Sequence, residues 1–490
     1  MQGNRRLSTG ISSLDEILHG GLIPGRSFLV RGGPGTGKST LGLQYLLAGA
    51  RVGERCLLMS LKATEAEIRA NAAALGWDLA GIDILDLSPS PSLFAEERGY
   101  ELFSPAEVER APITRKIIER VDAIRPQRVV ADAVSYFRYF VSDAYQFRTQ
   151  VLSFLRYLTD RGATVVAISE YDPQNPDTDL QFMSEGIISL DYGRTGRSLS
   201  VLKYSGSGFQ EGAHSLKLTD HGMEVFPRLV PAAHREEFQL ETISSGVPAF
   251  DELLHGGLER GTVTVISGPA GVGKTTIGLQ FVKEAAGRGE RSVVYTFEEA
   301  PELLAARSEG VNIPIRAMVE RGTLSIVKVE PLQYTADELA SLVRAEVEER
   351  EARMVMIDSL SGHRLSIQAR GEDLISHVHA LSEYLSYRGV TGIIISEVQS
   401  ITGEFRATEM GISYLADNII FLRYIEIGGA VRRAMGVLKK RLSSFENTLR
   451  EFEITRYGLK VGPPLHALRG ILTGLPEVAE ASRTEEGQRG

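Results

Sequence analysis

The segment GISSLDEILHGGLIPG at Gly10–Gly25 returns as GVPAFDELLHGGLERG at Gly246–Gly261, and this repetition constrains the fold more than any other feature of the chain. The two copies lie 236 positions apart. That spacing holds without a gap from Gly32 and Gly268, through Lys38 and Lys274, to Gln44 and Gln280. It returns at LTDHG (Leu218–Gly222) and ITRYG (Ile454–Gly458), whereas Asp132 and Asp358 are 226 apart. The first half therefore carries about ten additional residues, which the composition places in the polar stretch FAEERGYELFSPAEV. A period this long means a duplicated domain and not a solenoid.

Each half alternates apolar strands with helical stretches. Arg26–Arg31 reads as a short buried strand, followed by a glycine-rich turn and a helix from about Ser39. Arg55–Ser60 is a second strand, with a helix at Thr64–Leu75 after it. Arg128–Asp132 and Ala163–Ser169 are two more, separated by a helical stretch at Ala144–Arg161. Such βαβ alternation predicts a mostly parallel, twisted sheet flanked by helices on both faces. Ser198–Tyr204 and Ser215–Thr219, joined by glycine-rich turns, predict an antiparallel extension. Prolines and charges in EVFPRLVPAAHREEFQLE mark a boundary near residue 235. The expected organisation is a first domain at 1–235, a second at 236–475, and a polar, disordered tail at 476–490.

With 54 basic and 63 acidic side chains the formal net charge is −9, which argues against a chain built to grip duplex DNA. The single cysteine, Cys56, rules out an internal disulfide, and no Cys/His cluster has zinc spacing. No apolar run approaches the roughly 20 residues needed to span a bilayer. A reducing cytoplasm is the expected compartment, with no membrane partner.

Two segments carry the chemistry. Gly32-GPGT-Gly37-Lys38-Ser39 and Gly268-PAGV-Gly273-Lys274-Thr275 both match the phosphate-binding P-loop, each after a predicted strand and before a predicted helix. Gly32, Gly35 and Gly37, with Gly268, Gly271 and Gly273, let successive N–H groups turn inward toward the phosphates of ATP. Lys38 and Lys274 supply charge, the hydroxyls of Ser39 and Thr275 are candidate Mg²⁺ ligands, the helix N-terminus adds its dipole, and Thr40 and Thr276 complete the candidate ATP-binding residues of the two loops. Asp132 and Asp358 end apolar strands, RVVAD and MVMID, where the second carboxylate of a Mg²⁺ site is expected.

The run TGISSLDEILHGGLIPGRSFLVRGGPGTGKST, together with LGWDL and LTDHG, resembles the opening and landmarks of KaiC domains, and the likeness covers nearly all of residues 7–475. It implies two tandem RecA-like P-loop NTPase domains, a double-ring homo-hexamer with ATP at the subunit interfaces, hydrolysis, and Ser/Thr autophosphorylation. It also implies a Kai-type or other signalling partner, met through the C-terminal tail or a ring surface.

The halves differ where the family places its catalytic groups. Adjacent glutamates after the second strand are Glu298 and Glu299 in the second half; the first half has Lys62 and Ala63. A charged lysine cannot accept a proton from water, so the second half is the expected ATPase, with Glu65, Glu67 and Glu170 as conceivable substitutes in the first. The family's Lys-x-Arg reaches a neighbour's γ-phosphate; Lys439 and Arg441 match it, while the first half keeps only Lys203. Thr219 and Asp220 resemble residues near a neighbour's nucleotide base. Ser169–Glu170 and Ser396–Glu397 follow the fourth strand, where related folds sense the γ-phosphate. In GISYLADNIIFLRY, Ser413 takes the family's phosphoacceptor serine position, and Tyr414 stands where threonine is expected. The resulting expectation is a signalling ATPase with serine/threonine autokinase potential. A DNA-dependent motor and a non-hydrolysing ATP-assembled scaffold are the alternatives.

Overall fold

The apolar, β-branched runs form the centres of two nine-stranded sheets in the computed structural model, which describes residues 5–88, 105–141, 143–171, 177–193, 196–331, 333–362, 364, 374–398, 414–427, 429–466, 468–469 and 477–478. The chain divides into two units, Met1–Arg228 and Leu229–Gly490.

In the first unit the strands are β1 (Ser27–Gly32), β2 (Cys56–Ser60), β3 (Ile82–Asp86), β4 (Arg128–Asp132), β5 (Thr164–Glu170), β6 (Gly186–Gly193), β7 (Gly196–Tyr204), β8 (Ala213–Thr219) and β9 (Gly222–Phe226). Their spatial order is β3-β2-β4-β5-β1-β6-β7-β8-β9. The six strands from β3 to β6 run parallel, and β6 to β9 continue antiparallel. The second unit repeats this order, with Val263–Gly268 in the place of β1 and Ala352–Asp358 in that of β4. The expected parallel core with an antiparallel extension is therefore present twice.

The central strands have no polar face because helices cover both sides. In the first unit Leu41, Tyr45 and Leu46 of the helix Lys38–Arg51 pack with Val30, Val130 and Ile168 on one face. On the other, Val151, Leu155 and Leu158 of the helix Ala144–Thr159 pack with Leu29, Val129 and Val165. Sheet and helices thus fix the C-terminal ends of β1, β4 and β5 side by side. Among the described residues no helix is long and apolar enough to cross a membrane.

Equivalent positions are 236 apart at Ser60 and Thr296 but 226 apart at Asp132 and Asp358, so the additional residues of the first half lie between β2 and β4. That segment is partly the helix Pro105–Ile124; 89–104 lie outside the described residues. Of the tail, Glu477–Val478 pairs antiparallel with Leu468–Arg469. Residues 479–490 lie outside the described set.

The segment after Arg228 joins the second unit because its side chains are used there. Leu229 is buried with Val293, Tyr295 and Leu381. The His234 ring stands edge-on to Tyr384 at 5.4 Å, and its Nδ1 lies 2.9 Å from Glu348 Oε1. Glu236 donates its N–H to the Tyr387 carbonyl, 2.9 Å, and its side chain pairs with Arg388. The Phe238 ring lies over Gly261 and Gly389, where a Cβ would come within 2.6 and 2.4 Å of it. Burial alone would raise the Glu348 carboxyl; the bond from His234, the Arg344 guanidinium and the bond from Tyr384 outweigh it and hold it at about 2. A carboxylate held below its usual value of about 4.3 stabilises the fold above that pH and loses the contribution as pH falls toward the folded value. The urea midpoint of wild type should therefore exceed that of Glu348→Gln at pH 6, and the gap should close as pH falls from about 4.5 toward 2. A gap that does not change over this range would exclude the carboxylate as the anchor of the segment.

Candidate active site

The turn leaving β1, and its counterpart leaving Val263–Gly268, enters a helix whose first residue is Lys38 or Lys274. Gly37 and Gly273 cap these helices in the left-handed region, at φ 100° and 115°. Glycine is needed there twice over, for its φ and for its size. A Cβ on Gly37 would lie 2.7 Å from Met223 Cε and 2.8 Å from Leu218 Cδ2; one on Gly273 would lie 2.4 Å from Ile454 Cδ1. The last hairpin of each sheet thus presses on the loop from behind.

Lys38 Nζ donates to the Gly32 and Gly33 carbonyls, 2.8 and 2.6 Å, and Lys274 Nζ to the Pro269 carbonyl, 2.8 Å. Burial lowers the pKa of both, with the Lys62 charge adding to the effect at Lys38. In the next position the hydroxyls meet the strand-end carboxylates. Ser39 Oγ donates to Asp132 Oδ2 at 2.6 Å, and Thr275 Oγ1 to Asp358 Oδ2 at 2.8 Å. Each pair expected from sequence for a metal is thus brought together, with Thr40 and Thr276 half-buried on the following turn position.

The contrast between the halves lies at the end of the second strand. Ser60 Oγ donates to the Ala63 carbonyl, 2.6 Å, and Thr296 Oγ1 to the Glu299 carbonyl, 2.8 Å, so the two turns share one brace and place Lys62 where Glu298 stands. Glu298 Oε1 accepts from Ser359 Oγ at 2.7 Å, directly after Asp358 in the chain. Burial pushes the Asp358 carboxyl up and the Glu298 charge adds to it, against the pull of the Thr275 bond. Glu299 points elsewhere, to an ion pair with Arg307 at 2.7 Å. Lys62 Nζ instead lies 3.2 Å from Asp132 Oδ1 and 3.3 Å from Glu170 Oε1. The contact with Asp132 is an ion pair by distance, and Oδ1 has no other partner among the described residues. Burial works against the charge on Lys62, but Asp132 and Glu170 outweigh it and its pKa is raised. A lysine flanked by two strand-end carboxylates was legible as a missing base but not as an ion pair, because nothing in the sequence gives the side chain's direction. Ser359 was missed altogether; a hydroxyl directly after the strand-end Asp was the available signal.

The conceivable substitutes in the first half are already engaged. Glu67 closes a capping box with Thr64, Glu65 pairs with Arg69, and Glu170 pairs with Lys62. Ser169 and Ser396 have buried hydroxyls with no partner among the described residues. Lys203, Lys439 and Arg441 sit away from the P-loop of their own unit. Lys439 pairs in register with Ile419, itself level with Val265, roughly 10 Å short of Gly268 along the strand. Its Nζ bonds the Ala416 carbonyl, 2.6 Å, and Lys203 Nζ the Ser184 carbonyl, 2.7 Å. Arg441 pairs with Asp417, which also accepts from the N–H of Val263 at the opposite end of the central strand. Thr219 and Asp220 form the β8–β9 turn beside Gly37, where Gln44 bonds the Met223 backbone and Trp77 packs on Gly222. Ser413 lies outside the described residues.

A family model described as "ATPase: KaiC" matches residues 7–230 and again 243–466. The chain belongs to the KaiC ATPase family. Its relatives include the "Circadian clock oscillator protein KaiC" of Synechococcus elongatus, 28% identical over 99% of this chain and 96% of that protein. The protein of the same description from Rippkaea orientalis is 28% identical over 97% and 92%. The "Circadian clock protein KaiC3" of Synechocystis is 26% identical over 99% and 97%. ATPase chemistry of this family comes with ATP and, as a rule, Mg²⁺. The second unit suits that ion, because Thr275 and Asp358 converge beside Glu298, and of the cations acting on Asp358, Lys274 and Arg307, the latter is itself paired with Glu299. The first unit does not suit it equally, since Lys62 already neutralises Asp132.

If Ser359 holds Glu298 in place, Ser359→Ala should lower kcat about tenfold or more with little change in KM, the worth of one hydrogen bond to a charged group. Steady-state ATPase kinetics read this split, and a change confined to KM would assign Ser359 to nucleotide binding instead.

Proposed function

We propose that the second unit hydrolyses ATP while the first holds nucleotide with little turnover, in a signalling assembly of KaiC type. The observation that carries this reading is Glu298, fixed by Ser359 next to Asp358, set against Lys62 at the same turn position. Lys274 and the glycine-rich backbone bind the phosphates. Glu298 takes the proton as water attacks the γ-phosphorus and the bond to the ADP oxygen breaks. Mg²⁺, held by Thr275 and Asp358, would neutralise the phosphate oxygens. Glu299, paired with Arg307, supports the turn and stands behind Glu298.

A homo-hexamer is the arrangement that gives Lys439 and Arg441 a use. They lie at the end of the sheet away from their own P-loop, so they would serve the nucleotide of a neighbouring copy, as Lys203 would in the first ring. Thr219 and Asp220, on the turn beside Gly37, are assigned to a neighbour's nucleotide base on the family resemblance alone. Autophosphorylation at Ser413 is proposed on the family resemblance alone, as is a Kai-type or other signalling partner met through the tail or a ring surface. A buried Cys56 and an acidic chain agree with a cytoplasmic protein that does not depend on DNA.

Replacing Glu298 and Glu299 by Gln should reduce phosphate release by about a hundredfold or more. Lys38→Ala should mainly weaken assembly, read by size-exclusion chromatography with ATP, and leave residual turnover per chain. Turnover that survives loss of both glutamates would place the motor in the first unit. Intact-mass measurement after incubation with ATP, on wild type and Ser413→Ala, tests the phosphoacceptor.

A further inference from the structure

The charges around the two P-loops do not balance in the same way. Beside Lys274 the second unit gathers three carboxylates, Asp358, Glu298 and Glu397, against one ammonium, and the Arg307 guanidinium, which also acts on Asp358, is paired with a fourth carboxylate, Glu299. Beside Lys38 the first unit has two carboxylates, Asp132 and Glu170, against two ammoniums, the second being Lys62. Counted over these described residues, four carboxylates against Lys274 and Arg307 leave the second site with an excess of two negative charges, and two carboxylates against two ammoniums leave the first with none. Whatever charge a triphosphate brings, the two sites become equal when the second takes up one divalent cation and the first takes up no metal.

Geometry agrees with the count. The carboxylate that would attract a metal in the first unit, Asp132, accepts from Ser39 on one oxygen and faces the Lys62 ammonium at 3.2 Å on the other. Asp358 accepts from Thr275 in the same way but faces the Glu298 charge where Asp132 faces an ammonium. Two charges this close are strongly coupled where water is partly excluded, so a divalent ion near Asp132 would have to displace or repel Lys62.

We propose that the first unit binds its nucleotide without a divalent metal ion, Lys62 serving as a tethered cation in the position where the second unit takes Mg²⁺. The proposal rests on the reading of both P-loops as nucleotide sites. It makes the first site indifferent to chelators, a property that suits a site kept filled for assembly better than one that turns over.

The test counts bound species on the full chain. Protein saturated with AMP-PNP and Mn²⁺ and freed of excess is measured for nucleotide by chromatography of the extract and for Mn²⁺ by electron paramagnetic resonance. The expected result is two nucleotides and one Mn²⁺ per chain, with the first-site nucleotide retained in EDTA and lost in Lys38→Ala. Lys62→Glu should gain a second Mn²⁺ and lose its chelator resistance, and Lys62→Met should show reduced nucleotide retention in EDTA with its fold intact by circular dichroism. Two nucleotides with two Mn²⁺ in wild type would overturn the tethered-cation proposal and leave the nucleotide reading standing. A chain that binds no AMP-PNP at either site would overturn that reading itself. A single nucleotide, lost in Lys274→Ala and kept in Lys38→Ala, would overturn the proposal by showing that the first unit holds none.

Discussion

The hydrogen bond from the hydroxyl at the second position of a helix to the carboxylate at the end of a neighbouring strand is the contact on which each unit's chemistry depends. It joins two segments 93 residues apart in the first unit and 83 apart in the second. The sheet order makes it possible, because β4 and β5 insert between β2 and β1 and bring the ends of RVVAD and MVMID level with the P-loops. Without that crossover the glycine-rich turn would still cradle an anion, but no carboxylate would stand behind it.

Much of this was legible because duplication repeats the signal. A strand-end Asp is an ordinary feature; Asp132 and Asp358 at matched positions after two P-loops are not. The same logic located Glu298 and exposed Lys62 as the departure. Legibility failed where the outcome depends on side-chain direction. Glu298 and Glu299 are adjacent in sequence, yet one meets Ser359 and the other Arg307, on account of the turn braced by Thr296. The boundary near 235 was drawn from prolines and charge, which report exposure well but say little about which core takes a single leucine. Leu229 settles on the second unit through long-range contacts that no local pattern contains.

The two units also show how little backbone change accompanies the exchange of a glutamate for a lysine beside the P-loop. Strand order, loop, cap and hydroxyl brace are shared, and the difference resides mainly in one side chain and the hydroxyl that would have positioned it. Ala133 stands directly after Asp132 where Ser359 follows Asp358, so even a glutamate at position 62 would lack the support that fixes Glu298. Giving the first site the arrangement of the second would take more than reversing one charge.

The docked segment from Leu229 to Phe238 has a practical bearing on how this gene can be cut. Homology to the family begins its second stretch at residue 243, which invites a fragment that starts there. Such a fragment would lose the partners of Tyr384, Glu348 and Arg388 and uncover the glycine seat at Gly261 and Gly389. The natural place to separate the halves is upstream, between the end of β9 at Phe226 and the buried Leu229, so the unit of folding starts before the unit of ancestry.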